Sequence, residues 1–190
     1  MNTGQEPLSG RISDQNYLKE QQYRTADNLQ ARINLHRFFG TNNYPWQRWV
    51  LDHLSLKPGF TVLEVGCGPG GLWFENVDLI PDEIELVLGD LSIGMVKTAL
   101  RNIHEARASA GRSVLDLQGG CIDVQALPFP AESFDLVIAN HMLYHAPDIE
   151  RAIRELYKVV KPDGRVATAT NGIGHMRQMG ELLEKQLPGY

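Results

Sequence analysis

Two periods of apolar residues alternate along this chain, one near 2 and one near 3.6. Five short runs read as strands: residues 61–65, 85–89, 113–118, 134–139 and 164–170. Helical runs surround them. Residues 28–39 carry Leu29, Ile33, Leu35, Phe38 and Phe39, and Gly40-Thr41-Asn42-Asn43 ends the run. A second helix begins near Pro45, a residue suited to a first turn. It puts Trp46, Trp49, Val50 and Leu54 on one side, with the Trp46/Trp49 pair expected in the core rather than as a stacking platform, and stops before Lys57-Pro58-Gly59. Residues 92–108 place Met95, Val96, Ala99, Leu100 and Ile103 at i, i+3, i+4 spacing behind Ser92 as N-cap. Residues 148–160 are expected to bury Ile149, Ile153, Leu156 and Val160, with Lys161-Pro162-Asp163-Gly164 as the stop. A last helix over 173–187 carries Met176, Met179, Leu183 and Leu187. Strands separated by helices imply an α/β fold: a mostly parallel sheet with helices on both faces.

The strand at 61–65 runs straight into Gly66-Cys67-Gly68-Pro69-Gly70-Gly71, and it carries a carboxylate, Glu64, on the strand itself. Glycine can take positive φ and lets backbone lie flat against a ligand. A glycine turn at the carboxyl end of a strand is where open α/β sheets bind nucleotide-like cofactors. The following strand ends are polar as well. Asp90 ends the second strand, where it can accept both hydroxyl protons of a ribose over the turn, or simply cap the next helix before Ser92. Asp123 follows the third strand and can accept from an exocyclic amine, or stabilise its own turn. The fourth strand runs into Asn140-His141-Met142-Leu143-Tyr144-His145. His141 and His145 are the candidate general bases, against a packing or capping role for each. Glu64 needs a partner if ionised, and ligand contact or nearby backbone amides would serve.

Composition narrows the classes. With 190 residues and 43% hydrophobic content, one domain with a sizeable core is expected. A net charge of −5 with mixed signs argues against nucleic acid as the main partner. No apolar run approaches transmembrane length, and residues 1–24 lack the order of a signal peptide, so neither membrane insertion nor export is expected. The two cysteines, Cys67 and Cys121, are far apart and form no metal-ligand spacing. No metal site is expected, and a reducing, cytoplasmic setting fits. Residues 1–16 are polar and are expected to be flexible.

Residues 44–170 resemble the class I, Rossmann-like S-adenosylmethionine-dependent methyltransferases, in particular the small-molecule branch called methyltransferase domain type 11. The segments that carry the likeness are 62–70, 86–95, 123–129, 134–145 and 156–166. The resemblance implies a three-layer α/β/α sandwich and S-adenosylmethionine as cofactor, with S-adenosylhomocysteine as product. It implies a small-molecule methyl acceptor. Glu64, Gly66, Gly68 and Gly70 would line the amino-acid end of the cofactor, and Asp90 the ribose, with Leu91 against the adenine. Asp123 and the backbone near Val124 would read the adenine amine, and Asn140 would sit near the methionine moiety. Tyr17, Tyr23 and Arg32 resemble residues that close over the cofactor, so residues 17–56 read as a lid on a core of 57–190.

The family's sheet ends in an antiparallel hairpin that this chain lacks after Thr170. Either the fifth strand is an edge or the chain is a fragment. An uncovered edge would pair with a second copy, making a homodimer, or take a covering helix. Two rival functions follow: a non-catalytic binding module acting through that edge, and a nicotinamide-dependent oxidoreductase. The second is suggested by G-x-G-x-x-G at Gly66, Gly68 and Gly71 with Asp90 about 20 residues on.

Overall fold

A computed structural model describes residues 42–172, 174 and 177–186, together with 34, 38 and 40. Tyr17, Tyr23, Arg32 and the expected flexible segment 1–16 lie outside the described residues, as does the helix at 28–39 except for Asn34 and Phe38, which are helical.

Among the described residues the elements run α1 (Trp46–Leu54), β1 (Thr61–Val65), α2 (Gly71–Phe74), β2 (Glu85–Asp90), α3 (Ile93–Ser109), β3 (Asp116–Cys121), β4 (Phe134–Asn140), a 3₁₀ turn (Leu143–His145), α4 (Ile149–Val159), β5 (Val160–Ala169) and α5 (Arg177–Gln186). The five strands form one sheet in the order β3-β2-β1-β4-β5, and every pair is parallel. The chain reverses its direction of travel across the sheet between β1 and β4, the switch point at which open α/β sheets leave a crevice.

Each face of the sheet has its own core, set by strand alternation. Val62, Leu86, Leu88, Leu136 and Ile138 pack against α1, α2 and α3 through Leu51, Trp73, Val96 and Ile103. Leu63, Val65, Val137 and Ala139 pack on the other face against Ala152, Leu156 and Val159 of α4. The result is the expected three-layer α/β/α sandwich. Ser92 caps α3 by accepting from the Met95 N–H at 3.3 Å, and Asp148 caps α4 by accepting from Arg151 N–H at 2.8 Å.

Several boundaries differ from the sequence reading. β3 lies over Asp116–Cys121 rather than 113–118. Its register with β2, from Glu85 opposite Asp116 to Asp90 opposite Cys121, outweighs the apolar look of Val114 and Leu115. Gly119 is needed there, because a Cβ would lie 2.7 Å from Val96 Cγ1 of α3. β5 starts at Val160, four residues before the expected 164. Val160 pairs with Phe134 and Arg165 with Leu136, so residues 161–164 bulge opposite Asp135, with Lys161 Nζ 2.8 Å from its carboxylate. Pro162 is tolerated because β5 is an edge among the described strands.

Two of the expected helical runs bury part of their apolar set, Leu156 and Val160 in one and Val50 and Leu54 in the other, but not all of it. Ile149 and Ile153 are 47% and 51% exposed, and α4 instead buries small Ala152, which lets the helix approach the sheet. On α1 the buried residues are Val50, Leu51 and Leu54, whereas Trp46 and Trp49 are half-exposed and not core. No helix among the described residues is long and apolar enough to cross a membrane.

Candidate functional site

The glycine turn follows β1 on the near side of the switch point. Gly66, Gly68 and Gly70 have φ of +74°, +52° and +82°, a run of left-handed backbone that only glycine adopts readily. Gly66 N–H and Cys67 N–H both donate to Gly89 O of β2, at 2.7 and 3.0 Å, which ties the turn to the neighbouring strand. Asn102 of α3 donates to Pro69 O at 3.0 Å from the other side. Met142, beyond β4, covers the first glycine so closely that a Cβ on Gly66 would lie 2.7 Å from Met142 Cβ.

Two carboxyl groups flank this turn. Asp90, at the end of β2, accepts from Gly68 N–H at 3.0 Å through Oδ2 and from Ser92 N–H at 2.8 Å through Oδ1. It therefore bridges the glycine turn to the start of α3, and each oxygen keeps a second lone pair. Burial raises its pKa, and the two backbone N–H groups oppose that rise. Glu64 is buried on β1, where Trp73 of α2 donates its indole N–H to Oε2 at 2.6 Å. Burial pushes the Glu64 carboxyl from 4.5 to about 8; the Trp73 N–H works against this, and the nearby Asp90 charge adds to it. Near neutral pH the group is mostly protonated. Burial also pushes the Cys67 thiol well up, so this cysteine is a packed small residue, not a nucleophile.

Leu91 follows Asp90 directly, and Val124 is buried beside Ile122. Asp123 Oδ1 accepts from Gln125 N–H at 2.9 Å, and the Ala126 N–H reaches Asp123 O at 3.0 Å, so the residue shapes its own turn beyond β3. Gln125 continues the network, its Oε1 accepting from Asp148 N–H at 3.0 Å.

Across the switch point, Asn140 ends β4 opposite Ala169. His141 takes a left-handed φ of +51°, unusual for a residue with a side chain, and its N–H donates to Ala169 O at 2.8 Å. Its ring lies 5.1 Å from that of Trp46. His145 lies 4.5 Å, ring to ring, from Tyr144 in the 3₁₀ turn. The site residues named from the sequence that fall within the described chain thus gather at the carboxyl ends of β1–β4. Sequence reasoning missed Trp73 and Met142. A signal existed for the first, since a buried carboxyl calls for a donor and an indole nine residues on can supply one. For Met142, nothing in the residue type announces contact with Gly66.

A groove of about 770 Å³ opens at the opposite, amino end of the sheet, lined by Lys57, Phe60, Asp135, Lys161 and Arg165 among others. Three of its charged residues are engaged locally: Lys161 with Asp135, and Arg165 with Leu54 O at 2.8 Å. Among the described residues no group of three or more His, Cys, Asp or Glu could hold a metal.

Comparison with known proteins agrees with this geometry. Residues 63–168 match the family described as methyltransferase domain. A curated 2-phytyl-1,4-naphtoquinone methyltransferase of Synechococcus elongatus is 33% identical over 143 residues, covering 74% of this chain and 56% of the relative. Phosphoethanolamine N-methyltransferase 3 of Arabidopsis thaliana is 31% identical over 156 residues, covering 80% of this chain and 29% of the relative. Among solved structures, a Haemonchus contortus phosphoethanolamine N-methyltransferase 2 superposes with a TM-score of 0.61 at 21% identity, over 92% of this chain and 40% of its own. That structure holds phosphomonomethylethanolamine and S-adenosylhomocysteine. The chain spans about half the length of the first curated relatives it matches.

Proposed function

Since the chain belongs to the methyltransferase domain family, we propose that it is an S-adenosylmethionine-dependent methyltransferase acting on a small-molecule acceptor. The observation that carries this reading is Asp90. Its carboxylate links the left-handed glycine turn to α3 and has a lone pair to spare on each oxygen. A vicinal diol needs two acceptors of that spacing, next to backbone that a ligand can approach closely. Glu64, with its buried carboxyl beside the turn, is the second group that suits such a ligand.

In this reading Glu64, Gly66, Gly68 and Gly70 hold the amino-acid end of the cofactor and Asp90 holds the ribose. Leu91 packs on the adenine, Asp123 and the Val124 backbone read its amine, and Asn140 lies by the methionine moiety. When bound, the cofactor supplies a methyl group already activated by sulfonium charge. The protein then contributes alignment and exclusion of water more than acid-base chemistry. His141 and His145 stand at the tip of β4, where either can take the proton an acceptor loses. The curated relatives act on a naphthoquinone and on phosphoethanolamine by their names, which share only small size.

Calorimetry with S-adenosylhomocysteine tests the assignment. The wild-type chain should bind it and should not bind a nicotinamide dinucleotide. Asp90→Ala should weaken binding by about 2 kcal/mol or more, roughly thirtyfold, through loss of charge-assisted bonds. Equal affinity in the variant would remove Asp90 from the ribose, and failure of the wild type to bind would remove the function.

A further inference from the structure

Four rings form a row from the outer face of α1 to the tip of β4. His53 lies 4.2 Å from Trp49, Trp49 lies 5.3 Å from Trp46, and Trp46 lies 5.1 Å from His141, all between ring centroids. Trp46 and Trp49 are 43% and 44% exposed. Two exposed indoles side by side are a large apolar area for one short helix to leave in water, and tryptophan so placed is characteristic of a contact surface.

The row has a definite position relative to the site. Its inner end is His141, the residue that follows Asn140 and precedes Met142, whose side chain covers Gly66. Gln47, next to Trp46, reaches the glycine turn as well: a Cβ on Gly71 would lie 2.9 Å from its Nε2. The start of α1 therefore spans the crevice between the glycine turn and β4. The left-handed backbone of His141 aims its ring at Trp46 at a local conformational cost, of the kind that gathers at ligand sites.

We propose that Trp46 and Trp49, with His141, form the acceptor subsite, and that the acceptor presents a planar aromatic ring to it. The inference rests on the methyltransferase reading for what the ring is held against, but the subsite itself can be tested alone. The geometry separates a flat ring from an alkylammonium headgroup. A cation seeks several aromatic faces converging on one point. Here Trp46 and Trp49 turn faces to each other at an interplanar angle of 20°, and each has a histidine ring against it too. What the row offers a ligand is thus a near-parallel pair of indoles, a flat surface and not a cage of converging faces.

The test compares 2-naphthol and choline as probes, by equilibrium dialysis and by quenching of tryptophan fluorescence. The chain has three tryptophans, and buried Trp73 serves as the internal reference that a ligand on the row leaves unquenched. The wild type should bind 2-naphthol saturably and not choline. Trp46→Ala should weaken 2-naphthol binding about tenfold or more, while Trp46→Phe should stay within about threefold, because it keeps a ring. S-adenosylhomocysteine affinity, measured in parallel, should be unchanged in both variants. Equal 2-naphthol affinity in wild type and Trp46→Ala would overturn the subsite, as would binding of choline in preference. Loss of S-adenosylhomocysteine binding along with 2-naphthol binding in Trp46→Ala would make the residue structural and overturn it too. If the wild type holds 2-naphthol at Trp46 yet never binds S-adenosylhomocysteine, the methyltransferase reading fails and the aromatic subsite stands.

Discussion

The two sides of the switch point are built on opposite plans. On the β1–β2 side every functional group is fixed by protein. The turn hangs from Gly89, Asp90 holds Gly68 and Ser92, and Glu64 is locked under the Trp73 indole. On the β4 side the prominent groups are half-exposed rings on α1 and on the segment from His141 to His145. A side built of backbone and buried carboxyls can recognise one rigid ligand repeatedly. A side built of exposed rings can be altered without disturbing the sheet. That division suits a fixed cofactor and a variable acceptor, and it makes the two sides respond differently to substitution.

Gly66→Ala should produce the largest effect, because it attacks the fixed side twice. The methyl forces a left-handed residue, costing about 1–2 kcal/mol, and meets Met142 at 2.7 Å, adding an overpacking penalty of about the same size or more. Denaturant unfolding should show a total loss of about 3–4 kcal/mol. Adding Met142→Gly to that variant, which removes the Cβ that the new methyl meets, should return the overpacking part and leave the backbone part. Full additivity of the two changes would mean that Met142 does not press on the turn.

Trp73→Phe comes next. It removes the indole N–H that donates to a buried carboxyl and leaves a gap beside it, so about 2–3 kcal/mol should be lost on denaturant unfolding. It should also raise the Glu64 pKa further, since the indole N–H favours the ionised form. A loss under about 0.5 kcal/mol would make the fixed side as tolerant as the exposed one.

The glycine turn, the order of strands and helices along the chain, and the polar strand ends are all legible in the sequence because each rests on local spacing. Gly66, Gly68 and Gly70 declare left-handed backbone by type, and Ser92 and Asp148 declare helix starts. What spacing does not reveal is which of two apolar faces a helix buries. α1 carries Trp46 and Trp49 as well as Val50, Leu51 and Leu54, and only the sheet's position decides between them. α4 has the same ambiguity, and close approach to the sheet selects Ala152 over Ile153. Partners distant in sequence, such as Met142 for Gly66, are illegible for the same reason: they are products of packing. β3 is displaced because an edge strand with two glycines has weak strand propensity, and pairing with β2 sets its place.

A pH-dependent effect, read as a slope and not as a total, also belongs to the fixed side. Below about 4.5 Glu64 is protonated in both folded and unfolded chains, and above about 8 it is ionised in both. Between those values the folded chain keeps a proton that the unfolded chain has released. Stability should therefore be greatest at the acid end of that window and fall as pH rises, at up to about 1.4 kcal/mol per pH unit. Urea unfolding of wild type against Glu64→Gln at several pH values inside the window isolates the slope, because glutamine cannot titrate. A slope that matches in both chains would show that Glu64 ionises normally and has no buried environment to resist it.

The smallest effect should come from the exposed side. Trp49→Phe keeps a ring between His53 and Trp46 and removes only half-exposed area. Surface changes of that kind stay within about 0.5 kcal/mol, so the midpoint of thermal unfolding should move by less than about 2 °C. Set beside Trp73→Phe, the same chemical change at a buried indole, this substitution measures the contrast between the two sides directly. A loss at Trp49 equal to that at Trp73 would mean the row is part of the core and holds α1 in place. The division between a fixed side and an adaptable one would then have no physical basis, and the aromatic row would have to be read as packing.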